Sequence, residues 1–252
     1  MKILISPAKL MDINPKSVWK KSTHPQFLET SEKIMQELRN KNVQELQNLM
    51  KISTNLAEVN VERNLVWTAQ PNDKQTTQAI TAFAGEVYRG IKPEELSTEG
   101  QKYLDKNLFI LSGLYGLLRP SDQIMLYRLE MGTKLPVEKS KDLYEIWRAQ
   151  LTEYVNNHTQ KDETIINLAS NEYVKALDKK KLNSPLIEID FMDFKDGKLK
   201  KIMMYFKHAR GEMVRWCAEH QCKEIEELKN FDGMGYQFDA NLSTDKRLVY
   251  TR

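Results

Sequence analysis

At 252 residues, 40% hydrophobic and 29% charged, the chain has enough apolar material for a real core and is neither disordered nor a low-complexity polymer. Its 38 Lys plus Arg against 35 Asp plus Glu leave a formal net charge of +3, so a basic surface has to come from local segregation and not from bulk charge. Two cysteines, Cys217 and Cys222, are too few for a disulfide framework and fit no common zinc spacing, which suits a reducing cytosol.

The first element is a short β-type run, Lys2 to Ile5, stopped by Ser6-Pro7 because proline cannot continue a ladder. The opening MKILISPAKL has no cleavage-like segment, and no later stretch nears the roughly 18 apolar residues of a membrane span, so a soluble cytoplasmic protein is expected. From Ser31 to about Asn60, Ile34, Leu38, Val43, Leu46, Leu49, Met50, Leu56 and Val59 keep helical spacing, with breaks near Asn40 and Ser53. This predicts two or three short helices with those residues inside. A longer helix is predicted over Thr76 to Tyr88, and another from Pro93 to about Lys106.

Leu108 to Leu111 reads as a buried strand that must turn at Ser112-Gly113. Leu143, Ile146, Trp147, Leu151, Tyr154 and Val155 line a helix leading to a second buried strand, Thr164 to Leu168. A short helix, Glu172 to Leu177, follows, with Ser170 or Asn171 able to cap it. Leu186 to Phe206 reads as a hairpin around Asp196-Gly197. A helix then begins near Lys207, with Ala209, Met213, Trp216, Cys217 and His220 on its packed face, Lys207 and Arg215 opposite, and Arg210 at the border. A short helix, Cys222 to Asn230, and a hairpin of Tyr236 to Asp239 with Leu248 to Thr251 complete the chain.

Strands alternating with helices predict an α/β fold, with α+β the other possibility: a mixed, partly parallel sheet flanked by helices, as one compact domain over 1–252. Three segments, ILISPAK, FILSGLYG and INLASNEY, are each an apolar strand that ends in serine and opens into a polar turn. In parallel sheets ligands gather beyond the carboxyl ends of the strands, so these turns are expected to share one cleft.

The richest chemistry lies between Leu108 and Gly132, where Ser112, Tyr115, Arg119, Asp122, Tyr127, Arg128 and Glu130 are interleaved with glycine and proline. As a nucleic-acid site, Lys9, Arg119, Arg128, Lys207, Arg210 and Arg215 would contact phosphate while Tyr115 and Tyr127 stack on an unpaired base. As an enzyme site, the same arginines would hold an anionic small molecule, with Lys9, Tyr127, Glu130 and Glu172 as acid–base candidates. The bland alternative is a structural hairpin with Arg119 paired to Asp122 and Arg128 to Glu130 at the surface. No metal site is expected: His220 and Cys217 are read as core residues, and no cofactor motif is present.

The motifs SPAK at Ser6 to Lys9, SGLYGLLRP at Ser112 to Pro120, YRLEMG at Tyr127 to Gly132, NLAS-x-EY at Asn167 to Tyr173 and KxARGxMxR at Lys207 to Arg215 resemble, in that order, the YaaA family of peroxide-stress proteins. Leu126 stands where that family commonly has proline. The resemblance implies a cytoplasmic bacterial protein that resists hydrogen peroxide and keeps the unincorporated iron pool low. It also implies an unusual α/β fold with a positively charged cleft and affinity for duplex or distorted DNA. The family's helix-hairpin-helix element transfers poorly, since the polar turn NKN after Arg39 lacks the glycine such a hairpin uses.

Overall fold

A computed structural model describes residues 1–12 and 19–252. In chain order the strands are β1 (Lys2–Ile5), β2 (Thr77–Gln78), β3 (Leu108–Ser112), β4 (Gly116–Leu118), β5 (Gln123–Ile124), β6 (Ile165–Asn167), β7 (Leu186–Lys195), β8 (Lys198–Lys200), β9 (Gln237–Phe238) and β10 (Arg247–Thr251). The helices are α1 (Leu28–Arg39), α2 (Val43–Met50), α3 (Thr54–Val66), α4 (Ala79–Ala82), α5 (Glu86–Ile91), α6 (Thr98–Asn107), α7 (Leu143–Asn157), α8 (Asn171–Val174) and α9 (Met203–His220).

Every side chain of β1 is buried, as a strand covered on both faces requires. Even Lys2 is folded in, its Nζ donating to the Lys106 carbonyl at 2.8 Å while burial lowers its pKa. The sheet runs β4-β3-β1-β6-β7-β10-β9, with β8 paired to β7 off this path. Its five inner strands are parallel and β4, β8 and β9 are antiparallel additions, so the mixed, partly parallel sheet expected from the sequence is present. Ile5 lies beside Ile110, and Leu4 beside Asn167. This register ends β3, β1 and β6 at one edge.

Several expected elements differ for identifiable reasons. The helix predicted over Thr76 to Tyr88 is broken into β2, α4 and α5, because the backbone at Phe83–Gly85 pairs instead with the segment after β1: Ala84 donates to the Leu10 carbonyl at 2.9 Å and Asp12 to the Ala82 carbonyl at 2.8 Å. The helix predicted from Pro93 is a single 3-10 turn, after which Ser97 Oγ accepts from Gly100 N at 3.0 Å and starts α6. The predicted hairpin at Asp196-Gly197 forms, both residues taking positive φ, but Met203 onward belongs to α9. Moreover β7 is an interior parallel strand between β6 and β10. Cys222 to Asn230 narrows to a 3-10 segment, Ile225–Asn230.

α9 carries the KxARG residues and packs against α5 backbone to backbone. A Cβ on Gly211 would stand 1.9 Å from the Val87 carbonyl oxygen, and one on Gly90 would stand 2.4 Å from that of His208. Among the described residues no helix is long and apolar enough to cross a membrane.

Candidate active site at the serine edge of the sheet

The three serine turns lie at one edge of the sheet, and two of them touch. Ser170 N donates to Ser6 Oγ at 2.8 Å, the two hydroxyls are 3.4 Å apart, and Tyr88 OH from α5 donates to the Ser6 carbonyl at 3.1 Å. On the other side of β1, Ser112 Oγ accepts from Tyr115 N at 2.9 Å and shares a 2.6 Å hydrogen bond with Tyr127 OH. Ser170 stands at the N-cap of α8 as anticipated, but its hydroxyl makes no capping bond.

The chain from Tyr127 to Gly132 can lie across this edge because of a glycine. A Cβ on Gly113 would stand 2.4 Å from the Leu129 carbonyl oxygen, so no larger residue permits that approach. Gly132 N in turn donates to Glu172 Oε1 at 2.9 Å, which ties the segment to α8. Between these anchors Glu130 bridges two cations: Lys9 Nζ at 2.7 Å and an Arg128 guanidinium nitrogen at 3.2 Å. Lys9 is largely exposed, whereas the Arg128 side chain is only 12% exposed and its Nε is buried without a hydrogen-bond partner.

Burial raises the phenol pKa values of Tyr88, Tyr115, Tyr127 and Tyr173. Their hydroxyls therefore stay protonated at physiological pH. Beside this cluster a cavity of ≈ 330 Å³ is lined by Asp12, Phe83, Gly85 and Tyr88.

Of the residues singled out in the sequence, Lys9, Tyr127, Arg128, Glu130 and Glu172 are brought together. Others take different places. Tyr115 is 1% exposed, accepting from Trp67 Nε1 at 2.8 Å and Met125 N at 3.1 Å, so its ring cannot stack on a base; nor can that of Tyr127, 4% exposed. Arg119 is committed to Asp122, with side-chain bonds of 2.8 and 3.2 Å and a backbone bond of 2.8 Å that closes a turn. Burial pushes the Asp122 carboxyl pKa up despite that arginine. Arg215 pairs with Glu95 at 2.9 Å, clamping α9 to the Pro93–Glu95 turn.

Lys207 is exposed on α9. Arg210 lies 5.2 Å from the Phe206 ring centroid; burial lowers its pKa against the opposing pull of Asp190 and Glu188, and its Nε has no partner. His220 is not in the core: it is exposed and stacks on Trp216 at 4.2 Å, while Cys217 and Cys222 are buried free thiols.

The model of the family described as peroxide stress protein YaaA matches residues 1–242. The chain belongs to that family. It is 44% identical to a UPF0246 protein of Flavobacterium johnsoniae over the full length of both chains, and 41% identical to one of Marinomonas sp. over 100% of this chain and 97% of the relative. A UPF0246 protein of Shewanella sp. is 44% identical over 100% and 99% respectively.

Sequence reasoning missed Tyr88 and Tyr173, which complete the tyrosine wall. On α3 the expected inside is reversed: Leu56 and Val59 are 40% and 41% exposed, and the buried positions are Ala57, Asn60 and Asn64.

Proposed function

We propose that this peroxide-stress protein works in the cytoplasm by binding a small anionic molecule at the serine edge and moving a proton to or from it through Glu130. The supporting observation is the Lys9–Glu130–Arg128 bridge: an accessible carboxylate between an exposed and a buried cation, the latter retaining an unfilled donor. A structural ion pair has no use for an unfilled buried donor, whereas a binding site does. Arg128 and Arg210 take the anion, Lys9 and Arg128 hold Glu130 in place, and Glu172 positions the 127–132 segment. Protection from oxidative damage and a low unincorporated iron pool then follow from the fate of that molecule.

Binding of duplex or distorted DNA in the same cleft is the second reading. It is favoured by Lys207 and Arg210, neither of which has an acid at ion-pairing distance among the described residues, together with exposed Lys9. Two variants separate the readings. Glu130→Gln is expected to abolish protection in a peroxide-survival assay while DNA anisotropy and its salt slope stay as in the parent. If Glu130→Gln protects fully and Lys9→Ala plus Lys207→Ala loses both protection and the salt slope, the protein is a DNA binder and the proton-transfer reading is wrong.

A further inference from the structure

α9 ends on a pair of thiols. Cys217 lies in its last turn, Gln221 takes the left-handed conformation (φ 54°) that stops it, and the Cys217 carbonyl accepts from Gln221 N and, at 3.1 Å, from Cys222 N. Such a closure folds the residue after the left-handed one back over the residue five before it, which sets their side chains in contact. Here both side chains are cysteine, both are free, and the two thiols share a hydrogen bond. Tyr103 OH donates to the Cys222 carbonyl at 2.6 Å and pins the turn to α6.

The surroundings of the two thiols differ. A cavity of ≈ 750 Å³ between α6, the end of α9 and the 158–164 segment is lined by Cys222 and not by Cys217. Its wall carries five lysines against three acids, one of which, Glu163, is held by the Met1 ammonium. Cys217 is 0% exposed and Cys222 1%, so what Cys222 can meet from the cavity is a reagent near the size of water. Acidity follows the same asymmetry: the hydrogen bond with Cys217 lowers the Cys222 pKa against burial and the charge of Glu227, whereas burial raises that of Cys217. A thiol in an electropositive setting with a second thiol against it is the arrangement that oxidises reversibly. Packing alone at this turn needs only two apolar side chains.

We propose that Cys222 and Cys217 are a peroxide-oxidised dithiol, in which Cys222 meets hydrogen peroxide from the lysine-walled cavity and Cys217 closes an intramolecular disulfide. The cavity lies where β1, β3 and β6 begin, opposite the serine edge, and the assignment is independent of the anion site. The Cys222 thiolate attacks one peroxide oxygen, the O–O bond breaks, and the departing hydroxide takes up the proton that Cys222 gave up and leaves as water. Cys222 is then a sulfenic acid. The Cys217 sulfur attacks the Cys222 sulfur, the S–O bond breaks, and a second water leaves with the Cys217 proton. Two thiols are oxidised and one peroxide is reduced to two waters. Exchange with a dithiol reductant restores the pair.

The test exposes the reduced full chain in its native state to a stoichiometric amount of hydrogen peroxide, quenches it with N-ethylmaleimide in denaturant, and cleaves it with trypsin, which releases residues 216–223 with both cysteines on one peptide. The expected product is that peptide unalkylated and two hydrogens lighter than its dithiol form, becoming doubly alkylated once dithiothreitol has reduced it. Cys217→Ser should stop at a Cys222 sulfenic acid that dimedone traps, and Cys222→Ser should leave Cys217 fully alkylatable; thermal melts check that both variants fold. A doubly alkylated peptide from the peroxide-treated parent overturns the assignment, and so does a bridge between two chains, seen as a dimer on a non-reducing gel. Oxidation of Cys217 at the parent rate in Cys222→Ser overturns it too, because Cys217 would then need no attacking partner. Rapid reaction of the native parent with dithionitrobenzoate, a bulky aromatic disulfide, would show an open thiol in place of a shielded peroxide site and would equally overturn it.

Discussion

The two wings of the sheet handle buried polarity in opposite ways. In the C-terminal wing, Phe191 and Tyr250 stack at 5.3 Å, Phe231 and Tyr236 pack edge-on against Phe191, and the polar atoms among them are engaged. Asp193, 5% exposed, accepts from Tyr236 OH at 2.8 Å and Arg252 Nε at 2.6 Å, and Tyr250 OH donates to the Leu228 carbonyl at 2.7 Å. At the serine edge, Arg128 has a buried Nε with nothing to bond, as do the amides of α3. A buried charge whose bonds are filled holds the fold together. One with unfilled bonds costs stability, since its donor has given up water for nothing, and that cost is what the proposed anion would offset.

The largest expected effect tests what joins the wings. Gly211→Ala drives a methyl into the Val87 carbonyl where α9 crosses α5, and backbone on both sides cannot yield cheaply. Overpacking costs of about 1–3 kcal/mol or more are expected, read as a lowered urea midpoint. An unchanged midpoint would show that the two helices can separate, and the wings would not be coupled through this contact.

Asp193→Ala comes next and probes the aromatic wing. It leaves the Tyr236 hydroxyl buried and unpaired, so a loss of about 1–3 kcal/mol is expected with peroxide protection intact in proportion to folded protein. Loss of protection at full stability would mean that this wing, too, belongs to the site.

The smallest effect concerns the start of β1, which lies under both wings. The Met1 ammonium donates to Glu163 Oε1 at 2.8 Å. Burial opposes ionisation of Glu163, but that bond, the Gln160 backbone donor and the charge of the N-terminus outweigh it and lower the carboxyl pKa. Its stabilising contribution is therefore complete above the ordinary glutamate pKa of about 4.3 and is lost as pH falls through the lowered folded value. In Glu163→Gln, thermal melts between neutral and acid pH should show a shallower acid decline than the parent. An identical decline would assign the acid limb elsewhere.

Much of this was legible in the chain itself. Continuous apolar runs such as KILI and LFIL announce strands covered on both faces, and serine, glycine and proline mark where they stop. Repetition of that pattern three times pointed to one ligand edge, and the packing places Ser6 against Ser170. Local spacing also suggested the pairs Arg119–Asp122 and Arg128–Glu130 at the surface; both form, but with Asp122 buried and Arg128 nearly so. It could not say that the first closes a turn while the second forms part of the candidate site, because that depends on what lies opposite.

Tertiary structure decided the rest. Thr76 to Tyr88 loses its helix to a backbone pairing with Leu10 to Asp12, an interaction between segments some seventy residues apart that no local propensity encodes. Tyr115 and Tyr127 look like stacking residues in the sequence and become interior donors and acceptors only because Gly113 admits the 127–132 segment so closely. Above all, the inside of α3 is polar. Periodicity assigns the buried face to the apolar residues, as packing normally demands, but here Asn60 and Asn64 take it while Leu56 and Val59 stay exposed, because the fold and not the local spacing chose which side of the helix meets its neighbours.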